Sequence, residues 1–205
     1  MYLSTRAAWA AAMFIALGAA ADTAGGQDFE AARQGLTSSF GVAASTAGVS
    51  CVPDCSASRT SGPSFLLRGG AHLTSRFSIV AEADLFRQGV STPSGPGSWA
   101  MSWYMLGMLL YPRAEEDVFL SLGAGIAVSR MHVTFPDVGA LKMNTSNIGS
   151  AVGIGRDFRF RDSMAITAYA QYLFSGRTTA LIGRSNSGAK VSTDVLTAGL
   201  ALTLF

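Results

Sequence analysis

Three groups of residues in the 205-residue chain carry side chains able to do chemistry. The first is Arg68, His72, Glu82 and Asp84: a cation, an imidazole and two carboxylates close together in the chain. Such a set can serve as a general acid/base site, as an ion path, or as a paired structural plug. The second is His132, with Ser129 or Thr134 as a nucleophile and Asp137 or Asp194 as the carboxylate that a triad requires. The third is Cys51 and Cys55, spaced C-V-P-D-C around a Pro53-Asp54 turn signal that can bring two Cα atoms within disulfide range. Two sulfurs with no histidine nearby fall short of a structural zinc site, and the spacing is not that of a CxxC redox pair. A disulfide staple is the expectation, with no metal site and no cofactor.

The segments that must position these groups alternate with a period of two. Eight such segments are read, approximately Leu36 to Gly48, Ser64 to Leu73, Phe77 to Arg87, Trp99 to Tyr111, Val118 to Arg130, Asn147 to Phe158, Met164 to Phe174 and Val191 to Leu204. Each reaches the length of ~9 to 11 residues that a tilted strand needs to cross a bilayer core. The connections alternate as well. Thr74 to Arg76, Pro112 to Asp117 and Arg159 to Ser163 are short, whereas Val49 to Pro63, Gln88 to Ser98, Met131 to Ser146 and Ser175 to Lys190 are long and rich in Gly, Ser and Pro. The pattern predicts an all-β fold: an eight-stranded antiparallel up-and-down transmembrane barrel with short periplasmic turns and long extracellular loops.

Alternation also predicts faces. Leu120, Leu122, Ala124, Ile126 and Val128 form one apolar face, opposed by Phe119, Ser121, Gly123, Gly125, Ala127 and Ser129. The segment from Trp99 to Tyr111 is apolar on both faces and its facing is left open. If the hairpin between the second and third segments is centred on Ser75, partners sum to 150 and Arg68 lies across from Glu82. Arg68, His72, Glu82 and Asp84 then share the lumen, because Arg at mid-depth on the lipid face would cost about 2–4 kcal/mol. The interior of an eight-stranded barrel is just wide enough for its own side chains, so a paired plug is expected rather than an open channel. Rings near strand ends, among them Trp99, Trp103, Tyr172 and Phe174 on the loop side and Tyr111 on the turn side, are expected to form interfacial girdles.

Composition sets outer bounds. With 15 basic against 13 acidic residues there is no excess positive charge to hold nucleic acid. Hydrophobic residues make up 49% and charged ones 14%, yet beyond the N-terminus the longest apolar run is Trp103 to Tyr111, far short of the ~20 residues of a spanning helix. Met1 to Ala21 reads as a cleavable secretory leader, with Arg6 before an apolar core and Ala19-Ala20-Ala21 before Asp22. A short polar segment, 22–35, and one barrel domain, 36–205, complete the expected organisation.

The end of the last segment carries a family mark. Thr197-x-Gly199-x-x-Leu202-x-Leu204 followed by Phe205 resembles the C-terminal targeting signal of Gram-negative outer-membrane barrels, with the usual terminal aromatic falling at Leu204 and Phe205 appended. With the leader and the loop asymmetry, the chain resembles the small outer-membrane β-barrel family that includes opacity-type surface proteins and the OmpA and OmpX transmembrane barrels. That resemblance implies an integral outer-membrane location and contact with outer-membrane lipids, lipopolysaccharide and the barrel-assembly machinery. It also implies loop contacts with host or envelope proteins. Two other functions are weighed. A narrow conduit for small hydrophobic molecules needs an apolar lumen near the outer end and a lateral opening. A lipid A-modifying enzyme needs Ser, His and a carboxylate together at the outer rim.

Overall fold

The computed structural model describes residues 35–52, 59–92, 95–113, 117–135, 139–182 and 185–205. The leader, most of the short polar segment, and Cys55 fall outside these ranges. The strands are β1 (Gly35–Val52), β2 (Thr60–Thr74), β3 (Phe77–Thr92), β4 (Gly95–Leu110), β5 (Val118–Phe135), β6 (Gly139–Arg161), β7 (Met164–Ser175), β8 (Thr178–Ile182) and β9 (Ser185–Leu204). Neighbours pair antiparallel in chain order from β1 to β7, β9 follows β7, and β9 pairs with β1 to close the ring. The short β8 continues the line of β7 at the loop end, bonded like β7 to β6 on one side and β9 on the other. Closure leaves no sheet edge within the belt, which is what backbone groups surrounded by hydrocarbon require.

Strand length departs from expectation at the loop end. The β5–β6 ladder continues through His132↔Lys142 to Phe135↔Gly139, and β3 and β4 pair as far as Thr92↔Gly95. Much of what the sequence suggested as long loops is therefore hairpin projecting past the apolar belt. Within residues 139–146 only Leu141 and Met143 are large and apolar, too short an alternation to mark a strand by period-two hydrophobicity, while the backbone still gains by pairing.

The faces follow the alternation. On β5, Leu120 is 45% exposed and Ile126 54%, whereas Phe119 between turns is 1% exposed. Phe65, Leu106, Ile148 and Leu200 extend this oily outer surface around the ring. A continuous apolar belt of this extent is a lipid-facing surface rather than a wetted one. β4 resolves with Trp99, Met101, Trp103, Met105 and Leu109 inward and Tyr104, Leu106 and Met108 outward. Its pattern is ambiguous because the part of the lumen it lines is itself apolar.

This corrects the girdle assignment. Trp99, Trp103 and Tyr111 are buried in the lumen, while Tyr172 and Phe174 stay outside with rings stacked at 5.8 Å. Ring size near a strand end suits either side of the wall; parity opposite to that of Tyr104 and Leu106 sends the two tryptophans inward, where a narrow barrel must be filled.

Candidate functional site

The lumen is built in layers. At mid-depth, the β2–β3 register pairs Arg68 with Glu82, both side chains pointing inward and buried. Arg68 Nε donates to Glu82 Oε2 at 2.6 Å and Nη2 approaches the same oxygen at 2.5 Å. From β7, across the lumen, Gln171 Nε2 donates to Glu82 Oε1 and, at 3.4 Å, to Asp84 Oδ2. The Arg68 guanidinium also lies 5.7 Å from the centre of the Phe119 ring. Each ion is thus held by an opposite charge or a fixed dipole, the condition under which buried charge is tolerated.

Of the four residues proposed for this cluster, the structure brings Arg68, Glu82 and Asp84 together and sets His72 lower, toward the turn end. His72 Nδ1 is 2.6 Å from Ser78 Oγ, and its ring sits 6.2 Å from Tyr111 and 5.8 Å from Phe205. That hydroxyl–imidazole pair has the composition of a nucleophile and its base, but Ser78 is completely buried, so a substrate has no approach to it.

Sequence reading missed two members of the interior. Gln171 was not singled out, yet it ties β7 to both carboxylates of β3. Asp157 was not singled out, and it anchors a second network: Tyr111 Oη donates to its Oδ2 at 3.1 Å, and Thr167 Oγ1 to its Oδ1 at 2.6 Å. Thr167 is in turn 2.6 Å from Thr203 Oγ1, which is 2.9 Å from Ser39 Oγ. The signal was available, since Gly149, Ala151, Gly153 and Gly155 mark the small-residue face of β6 and Asp157 continues their parity. Replacing Tyr111 with Phe should cost roughly 1.5–3 kcal/mol, the worth of a hydrogen bond to a buried charged group. Equilibrium urea unfolding checks this.

Beside and above the ionic layer the lumen is oily, Trp103 and Met105 being the β4 partners of Asp84 and Glu82. Phe86, Trp99, Met101, Trp103, Met105, Leu173 and Val195 form one buried cluster. Trp99 Nε1 donates to Ser129 Oγ at 2.8 Å, and its ring meets Phe86 edge-on at 6.0 Å. Two glycines make room for rings. A Cβ on Gly149 would lie 2.5 Å from the Trp103 ring, and one on Gly155 would overlap Phe119.

The C-terminal residues divide by parity. Thr197 turns inward, 2.8 Å from Ser45 Oγ, while Leu204 lies on the outer wall. Gly199 is pressed against the β1 backbone at Ala43, and Leu202 is half-buried. Phe205 closes the turn end: its N–H donates to Ser163 O at 3.0 Å, and the Arg159 guanidinium lies 4.5 Å over its ring.

The triad candidate does not assemble from its described members. Ser129 is buried in the lumen against Trp99, whereas His132 is exposed on the outside of the wall. Asp194 pairs with Arg59 at 2.6 Å on the β9 side. An odd separation along a strand puts Ser129 and His132 on opposite faces, which rules out the hydrogen bond a nucleophile and base must share. Cys51 is placed as a backbone partner of Val191, and its pairing with Cys55 lies outside the described residues.

No protein-family model and no curated protein matches the chain. Among solved structures it is similar to Neisserial surface protein A, with a TM-score of 0.51 and 14% identity over 80% of this chain and 95% of that one. It is also similar to the outer membrane protein OprG from Pseudomonas aeruginosa, with a TM-score of 0.53 and 16% identity over 83% of this chain and 96% of that one. At such identities the likeness is one of fold. The fold is that of small integral outer-membrane β-barrels, and the exposed apolar belt is the surface that location requires.

Proposed function

We propose that this chain, having the fold of an integral outer-membrane barrel, is a surface protein with a closed lumen that acts through the hairpins and loops at its loop end. Residues 1–21 direct its export and are removed. The barrel is a rigid mount, and specificity resides in the projecting segments between its strands. The observation that carries this reading is the packing of an oily cluster, from Phe86 to Trp103, beside and above the Arg68–Glu82–Asp84–Gln171 layer, with Phe205 and Arg159 beneath. Three successive fillings leave the barrel axis occupied by side chains.

In planar bilayers the purified barrel should give no steady conductance above the lipid background, and in intact cells protease should cut only between strands at the loop end. Steady ohmic steps would overturn the closed-lumen reading; protection of every such segment would overturn the surface role.

The oily upper layer favours a second reading, the narrow conduit for small hydrophobic molecules. Against it, the ladders from β1 round to β9 are continuous through the belt, so the described strands form no lateral exit. Saturable quenching of Trp99 and Trp103 fluorescence by a small brominated hydrocarbon would favour the conduit; its absence favours the closed mount.

A further inference from the structure

The outer wall changes character at one height on one side. Along β5 the outward series Leu120, Leu122, Ala124, Ile126 and Val128 gives way to Arg130 and His132, and along β3 Leu85 gives way to Arg87. The register aligns these changes. Leu85, Ser102, Val128 and Ser146 form the last row of the belt; Arg87, Ala100, Arg130 and Asn144 form the next; Gly89, Ser98, His132 and Lys142 form the one after. Arg87 and Arg130 therefore flank the methyl group of Ala100, two strand spacings or roughly 10 Å apart. His132 and Lys142 are direct partners one row above.

All four basic side chains are exposed, and neither row holds a carboxylate on β3 to β6. The far wall differs, because there Asp194 pairs with Arg59 and the stacked Tyr172 and Phe174 occupy the outside. Like charges placed together on a sheet repel, and this set lies within one or two rows of surface that hydrocarbon must cover. The groups found at that depth are lipid headgroups. Guanidinium and ammonium groups converging above an apolar wall match a phosphate carried on acyl chains, with Arg supplying forked hydrogen bonds.

We propose that Arg87, Arg130, His132 and Lys142 form a docking surface for the phosphate groups of outer-leaflet lipopolysaccharide. The proposal rests on the reading that the loop end faces the cell exterior. It assigns the contact to this part of the barrel wall rather than to the bases Arg177, Arg184 and Lys190, which follow β7 in the chain.

The test uses the full mature barrel refolded in neutral detergent and titrated with lipopolysaccharide or its enzymatically dephosphorylated form, with bound lipid read by native mass spectrometry. The variant R87Q/R130Q/K142Q should lose affinity by at least roughly tenfold, given the attraction each base exerts at an anionic surface. Wild type should bind the dephosphorylated lipid as weakly as the variant binds the intact one, and the control R177Q/K190Q should bind like wild type. Heat-shifted gel mobility confirms that each variant is folded. A folded triple variant with wild-type affinity would overturn the proposal, as would an equal loss in the control or a preference for a soluble sulfated polysaccharide over the lipid. Loop-end segments protected from protease on cells, with lipid affinity still lost in the triple variant, would sink the orientation while sparing the site.

Discussion

Arg68→Met lowers the unfolding free energy of the barrel by about 3–5 kcal/mol, the usual result of removing one partner from a buried ion pair. The expected readout is a lower urea midpoint in tryptophan fluorescence and in the heat-shifted gel band, with an unchanged slope. The loss is large because Glu82 and Asp84 remain buried in the lumen with the neutral amide of Gln171, and no longer a cation, bonded to them. Removing the methylene stem is a minor part of it, since methionine fills nearly the same volume. The triple variant R68M/E82Q/D84N should regain most of the lost stability, because a neutral polar layer has no charge left unpaired. If R68M alone unfolds like wild type, the cluster is wetted rather than packed, and the closed-lumen reading fails with it.

The second large effect lies beside that layer, at the β4 partner of Asp84. Trp103→Ala should cost about 3–5 kcal/mol, as truncation of a fully buried ring does when its surroundings cannot collapse. A closed ring of strands relaxes less than a helical core, because narrowing it would break the ladder on both sides. The converse substitution, Gly149→Leu, drives a side chain into the space the Trp103 ring occupies and should cost about 1–3 kcal/mol by overpacking. The two lesions are complementary in shape. The double variant W103A/G149L should therefore be more stable than the sum of the single losses by at least about 1 kcal/mol, the coupling expected of residues in contact. Simple additivity, measured in the same urea titrations, would mean that the ring and the glycine do not share that space.

How much of this was legible in the sequence depended on contrast between the two sides of the wall. β5, β7 and β9 were readable because their inner faces are small or polar, as with Ser121, Gln171 and Thr197, while their outer faces are oily. The Ser75-centred hairpin followed from the shortness of its turn, and the observed partners sum to 150, which places Arg68 across from Glu82. β4 was unreadable because Met101 and Trp103 inside are as apolar as Tyr104 and Leu106 outside. Trp99, Trp103 and Tyr111 were assigned to the interface for the same reason, since ring residues at strand ends satisfy a headgroup region and a dry interior equally well. The place of His72 toward the turn followed from the same register, which pairs it with Ser78; the Gln171 bridge did not, because parity fixes the side of the wall but not which groups meet across the lumen. The basic wall of β3 to β6 escaped notice because its members belong to three strands and become neighbours only once register is known.

The Arg68–Glu82 pair and the Gln171 bridge differ in how far apart their members lie along the chain: 14 residues for the first, 89 for the second. A hairpin can neutralise its own Arg68 before any other strand has arrived, whereas Gln171 reaches Glu82 only after β7 has come round to face β3. During insertion the most costly cation therefore travels already escorted by its counter-ion. The remaining carboxylate, Asp84, is left without its cross-lumen amide until the cylinder shuts, which makes late closure the step most sensitive to that side chain.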